Sequence, residues 1–172
     1  MKLHKLLIAI PGILLAMTAM TAMASGNHAG GHDKALIGKP GVASKVARTV
    51  IVTMTDDMRF HASTFNVKQG ETIRFIVKNT GQLKHEMVLG TEKELKEHAE
   101  VMKKYPAMEH ADANMVTVAP GMSGEIIWRF TKAGKVDFAC LQPGHYDAGM
   151  KGVIKISANK VNNKEQGHAR NH

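Results

Sequence analysis

The chain has 172 residues, a formal net charge of +8, 44% hydrophobic residues and a single cysteine. Setting aside a leader leaves roughly 150 residues, enough for one compact domain of about 100–150 residues with one core. Lys2 and Lys5 belong to that leader, so about +6 remains, a surplus that suggests an anionic partner or surface more than a fold. The basic residues are dispersed, without the arginine-rich or aromatic-interleaved stripe that tracks phosphates, and nucleic acid is not an expected partner.

In chain order, Lys2 and Lys5 precede an apolar run over residues 6–17, and Ala22-Met23-Ala24 ends it in small residues. That is the form of a cleavable signal peptide over residues 1–24. The run is shorter than the about 20 apolar residues a membrane span needs. The mature chain is therefore expected to be periplasmic, with no membrane span. Residues 25–47 are rich in Gly, Ala, His and Lys with no sustained period, and read as a flexible arm carrying His28 and His32.

From Arg48 the pattern changes. Val50, Val52 and Met54 alternate with Thr49, Ile51, Thr53 and Thr55 in a β-branched run that predicts a strand, broken by Asp56-Asp57. Phe65 and Val67 before Gln69-Gly70 give a short strand, residues 72–78 another ended by Asn79-Thr80-Gly81, and residues 85–89 a fourth. The convincing helix is Glu92–Lys104, entered through Thr91 with Glu94 three residues later in capping-box spacing. Leu95, His98, Ala99 and Met102 share one face of it, and Pro106 stops it. Strands are then expected over 115–118, 124–131, 135–140 and 152–157. The reading is an all-β domain over residues 48–157, a Greek-key β-sandwich of about seven or eight strands with one helical excursion. Residues 158–172 read as a disordered polar tail.

The chemistry lies in one segment, Phe138-Ala-Cys140-Leu-Gln-Pro-Gly-His145-Tyr-Asp-Ala-Gly-Met150. Oxidising compartments favour paired cysteines, so a lone exported thiol is either buried and inert or protected by a metal. Here a strand delivers Cys140, a Pro143-Gly144 turn reverses the chain to present His145, and Gly149 lets Met150 fold back. Thiolate, imidazole and thioether together favour copper and effectively exclude calcium and magnesium. A trigonal site needs a second imidazole. His85 qualifies, beginning a strand after a turn far away in sequence; His61 is the runner-up, in an irregular segment after Arg59-Phe60.

Cys-x4-His-x4-Met in FACLQPGHYDAGM, with Lys84-His85-Glu86-Met87-Val88-Leu89 upstream, resembles the cupredoxins, or small blue copper proteins. The loop spacing is similar to that of rusticyanin and auracyanin, and the leader with a His- and Met-bearing chain resembles periplasmic cupredoxins associated with copper tolerance. The resemblance covers about residues 48–157. It implies an eight-stranded sandwich and one type 1 copper ion held by His85, Cys140, His145 and, axially, Met150. In one respect the chain departs from it. Azurin-like members commonly carry Asn after the first histidine ligand, bracing the loop that holds the cysteine, and here Glu86 stands there. Glu86 could bond to that loop if suitably protonated, face solvent, or approach the metal as a carboxylate does in the red copper relative nitrosocyanin.

The expected function is Cu(I)/Cu(II) cycling in electron transfer and in copper handling or tolerance, with electrons passing through His145 to a redox partner such as a cytochrome, which the basic chain suits if it is acidic. Gln142, Pro143 and Tyr146 would flank that exit. The alternative is a Cu(I)-buffering resistance protein with an accessory Met/His site and no dedicated redox partner; Met108 with His110, then His28 with His32, are the candidates for additional Cu(I). An enzyme is not expected. The chain has no His-x-His pair for a trinuclear cluster, only one cysteine for a binuclear site, and no nucleophile elbow or phosphate loop.

Overall fold

The computed structural model describes residues 37–109 and 111–159. The predicted signal peptide, residues 25–36 of the arm with His28 and His32, His110, and residues 160–172 of the tail lie outside the described residues. The strands are β1 Lys39–Pro40, β2 Arg48–Thr55, β3 Arg59–His61, β4 Thr64–Lys68, β5 Thr72–Asn79, β6 His85–Gly90, β7 Met115–Val118, β8 Ser123–Arg129, β9 Gly134–Ala139 and β10 Lys151–Ser157, and the helix α1 is Glu92–Lys104.

Two five-stranded sheets pack face to face, one ordered β1-β8-β5-β2-β3 and the other β4-β10-β9-β6-β7. Strands β2 and β5 pair in parallel, as do β4 and β10, while the remaining neighbours are antiparallel. A parallel pair cannot be joined by a hairpin, so the chain leaves each sheet and returns after visiting the other, which makes the sandwich. The expected β-sandwich with one helical excursion is borne out, and all eight strands read from the sequence are present.

Period-two alternation explains the core. Val52 and Met54 of β2, Ile73, Phe75 and Val77 of β5, and Ile126 and Trp128 of β8 point inward from the first sheet. Phe65, Val67, Met87, Leu89, Val136, Phe138, Ile154 and Ile156 meet them from the second. Phe138 sits at the centre, with ring centroids 5.0 Å from Phe60 and 5.6 Å from Phe65.

Strand β6 is buried along its whole length, although its sequence alternates. Its inward residues are His85, Met87 and Leu89. Its outward residues would face water were they not covered: Val88 packs with Leu95, Ala99 and Met102 of α1 in a second small core. The helix bounds agree with the sequence because both ends are marked chemically. Thr91 Oγ1 accepts from the Glu94 N–H at 3.3 Å, and the Glu94 carboxylate accepts from the Thr91 N–H at 2.9 Å. Thr91→Ala is expected to lower stability by about 1 kcal/mol in urea unfolding, the usual cost of losing such a cap.

Two segments depart from the sequence reading. The last part of the arm, residues 37–47, is held against the sandwich rather than free: Lys39 and Pro40 pair with Arg129 and Trp128, Ile37 is buried, and Trp128 Nε1 donates to the Ile37 carbonyl at 2.8 Å. Arg59–His61 forms β3, pairing with β2, where an irregular segment was expected. Both strands are too short to show periodicity, so sequence pattern could not reveal them.

Candidate metal centre

At one end of the sandwich, His85 Nδ1, His145 Nδ1 and Cys140 Sγ converge. Nδ1 of His85 lies 3.2 Å from Nδ1 of His145, and Cys140 Sγ lies 3.3 Å from His145 Nδ1 and 4.0 Å from His85 Nδ1. Such separations are those of neighbouring donors on one ion whose bonds run about 2.0–2.3 Å. Among the described residues, this is the one group of three or more His, Cys, Asp or Glu side chains with its donor atoms gathered for a metal ion. His61 is not part of it. At the end of β3 its Nε2 lies 2.9 Å from Thr55 Oγ1 and 3.6 Å from the Asp57 carboxylate, with the side chain 57% exposed.

The loop that carries three of the four expected residues follows from its punctuation. Gln142-Pro143-Gly144-His145 closes as a β-turn, the His145 N–H donating to the Gln142 carbonyl at 3.0 Å. Gly144 has φ +83°, the left-handed conformation that glycine supplies after a proline in such a turn. Gly149, at φ +93°, bends the chain back. Met150 then donates its N–H to the His145 carbonyl at 3.0 Å, and its own carbonyl accepts from the Cys140 N–H at 3.1 Å. Its side chain is fully buried in the core, with Cys140. The β9–β10 ladder seals the base of the loop through Ala139 and Lys151.

Bonds from outside the loop hold it. Arg59 Nη1 donates to the Ala148 carbonyl at 2.8 Å, and Lys103 of α1 pairs with Asp147 at 2.7 Å. Tyr146 lies half-buried against the second core with Lys151 over its ring, 4.6 Å from the centroid. Of the three residues expected to flank an exit beside His145, only Pro143 is exposed, while Gln142 and Tyr146 are half-buried.

Glu86 resolves among its alternatives as the brace of the cysteine loop. Its carboxylate is buried on the outward side of β6. It accepts from the Leu141 N–H at 3.0 Å, from the Gln142 amide at 3.1 Å and from the Thr117 hydroxyl at 3.4 Å. Every bond is one the carboxylate accepts, so the brace needs no proton on Glu86. The Glu86 N–H in turn points at Cys140 Sγ, 3.4 Å away.

Two residues were missed by sequence reasoning as partners of the centre. Asp56, read only as a strand breaker, accepts at Oδ1 from His85 Nε2 at 3.0 Å and from the Leu83 N–H at 3.2 Å, and at Oδ2 from the Gln82 N–H at 2.7 Å. Those bonds, the Gln82 N–H foremost, hold its carboxyl below the usual range. Asn79, read as a turn residue, is buried with its amide donated to the Leu83 and Val118 carbonyls and its oxygen accepting from the Gly81 N–H. It thereby sets the turn that delivers His85.

Electrostatics prepare the donors unequally. Burial pushes the Cys140 thiol up to about 12, against smaller downward pulls from the Glu86 and Gln142 backbone N–H groups. Burial, and then the charge of His85, hold the His145 imidazole below its ordinary value, which keeps a lone pair available near neutral pH.

The pattern of the family described as copper binding proteins, plastocyanin/azurin family, matches residues 47–157. The chain is 49% identical over 150 residues to the copper-resistant cuproprotein CopI of Rubrivivax gelatinosus, covering 82% of this chain and 91% of that protein. It is 34% identical over 174 residues to the CopI of Pseudomonas aeruginosa, covering 84% and 91%. The crystal structure of dithionite-reduced auracyanin from Roseiflexus castenholzii superposes with a TM-score of 0.56 at 26% identity, over 65% of this chain and 98% of that one. Fold, ligand-type cluster and sequence agree, and the chain belongs to the plastocyanin/azurin family of copper-binding proteins.

Proposed function

We propose that the chain is a periplasmic protein of copper tolerance that holds one copper ion with His85, Cys140, His145 and Met150. The observation that carries this reading is the convergence of two imidazole nitrogens and one thiol sulfur at a buried point. The mixture of soft sulfur and imidazole suits copper in both oxidation states. Copper bound there supplies one-electron exchange.

The protein's part is to hold the donors still. Met150 is fixed through its backbone to Cys140 and His145, and it is the fourth donor of the proposed set. Glu86, Arg59 and Lys103 restrain the loop, so little rearrangement accompanies a change of oxidation state. His145 is half-buried and is the exit toward an electron partner, for which an acidic cytochrome suits the basic chain. Four protein donors leave no open position for substrate, in keeping with a role other than catalysis. Export rests on the leader over residues 1–24, and copper tolerance on the relatives that are named copper-resistant cuproproteins.

The test is the visible and electron paramagnetic resonance spectra of the mature protein with Cu(II), beside Cys140→Ser. An intense thiolate-to-copper absorption, lost on reduction and missing from the variant, is expected. A colourless protein with an ordinary copper signal that survives the substitution would overturn the ligand set.

A second reading, Cu(I) buffering at an accessory site, is favoured by one cavity. About 190 Å³ in volume, it is lined by Met108, Met115, Glu109, Glu86, Lys84, Thr117 and Gln142. Residual Cu(I) stoichiometry in Cys140→Ser that disappears on further replacing Met108 and Met115 would support it.

A further inference from the structure

His85 is buried, and its two ring nitrogens have different tasks. Nδ1 faces Cys140 and His145, while Nε2 meets the Asp56 carboxylate at 3.0 Å. Asp56 belongs to the turn after β2, in the opposite sheet from every expected metal ligand. A carboxylate is acceptor-only, so this contact requires the ring hydrogen to be on Nε2 and leaves the Nδ1 lone pair turned to the other donors.

The carboxylate is itself placed. Gln82 and Leu83 donate their N–H groups to it, and a Cβ on Gly81 would collide with it, so the turn is moulded around this one side chain. Hydrogen-bonding partners of a metal-bound imidazole orient the ring and strengthen it as a donor. A charged acceptor does so more than a neutral one, and it favours the more positive oxidation state of whatever ion the ring holds.

We infer that Asp56 is a positioning residue of the copper centre, locking the His85 tautomer and biasing the bound ion toward Cu(II). The inference rests on the ligand set proposed above. It gives that set a direction: a centre whose carboxylate-backed imidazole favours the oxidised form of its copper over acting as a strong oxidant.

The experiment compares the copper-loaded wild type with Asp56→Asn. Asparagine keeps an oxygen for His85 and Leu83, gives up the bond to Gln82 and removes the charge. The thiolate-to-copper absorption should survive, while the Cu(I)/Cu(II) equilibrium moves at least tenfold toward Cu(I), an upward shift of about 59 mV for one electron. An unchanged potential with the absorption intact would overturn the inference; absence of that absorption from the wild type itself would instead overturn the ligand set. If Asp56→Asn does not fold, imidazole nitrogen NMR of the wild type decides, in the metal-free form and with Cu(I). A slowly exchanging hydrogen on His85 Nε2 in both forms is the expected result, and an Nδ1 hydrogen in the metal-free form or solvent-fast exchange at Nε2 would refute it.

Discussion

Glu86→Leu is expected to lower the unfolding free energy of the metal-free protein by about 2–4 kcal/mol, whereas Glu86→Gln should cost less than about 1 kcal/mol. The difference follows from the donors aimed at this side chain. Leucine fills the same space but accepts nothing, leaving the buried Leu141 N–H without a partner and the Gln142 amide and Thr117 hydroxyl to find new ones. Glutamine keeps one oxygen for Leu141. Its NH2 group then faces Gln142, whose amide can turn its oxygen inward, and Thr117, whose hydroxyl can accept. Urea unfolding of the three metal-free proteins is the measurement. Equal stability of the leucine and glutamine variants would show that the bonds to the loop contribute nothing.

The metal-free protein is also expected to lose stability as pH rises above about 9, and Cys140→Ser should not share that loss. A thiol that titrates near its ordinary value of 9.0 when unfolded, but at about 12 when folded, stays protonated in the fold while the unfolded chain releases its proton. The folded state then binds more protons than the unfolded one, so stability falls with rising pH throughout the interval between the two values. The slope is about 1.4 kcal/mol per pH unit once pH exceeds the lower value. Unfolding midpoints of wild type and Cys140→Ser at pH 7.5, 9 and 10.5 isolate this contribution, because every other titrating group is common to both. A gap between them that is independent of pH would mean that the thiol is not held in its neutral form. The same protonation would make metal uptake at the proposed site a proton-releasing event, since a cysteine ligand binds as the thiolate.

Much of this was legible because the governing interactions are local. Alternation of β-branched and aromatic residues marks the long strands, Thr91 with Glu94 marks the helix start, and Pro143-Gly144 and Gly149 shape the loop. His85 was distinguishable from His61 because it opens a strand after a turn, and the structure gathers His85 rather than His61 with Cys140 and His145. What stayed hidden depends on contacts between distant positions. Nothing near Asp56 announces a histidine 29 residues further on. Glu86 could be read three ways because its answer lay in Leu141 and Gln142, 55 and 56 residues away on another strand's exit. Residues 37–47 looked like free arm because only two of them pair with the sheet, and a two-residue strand has no period to detect.

The expected ligands all belong to one sheet: His85 opens β6, and Cys140, His145 and Met150 lie on the connection from β9 to β10. The opposite sheet supplies Asp56 and Arg59, which reach that array through hydrogen bonds to His85 and to the Ala148 carbonyl of the loop, and Asn79, which sets the turn before His85. Natural variation therefore meets two kinds of position here. On the proposed ligand set, drift at the ligand positions of one sheet threatens whether metal is held at all, while drift at Asp56 or Arg59 of its partner adjusts the properties of a centre that survives. A lineage can retune such a protein by sampling the second sheet without passing through a metal-free ancestor.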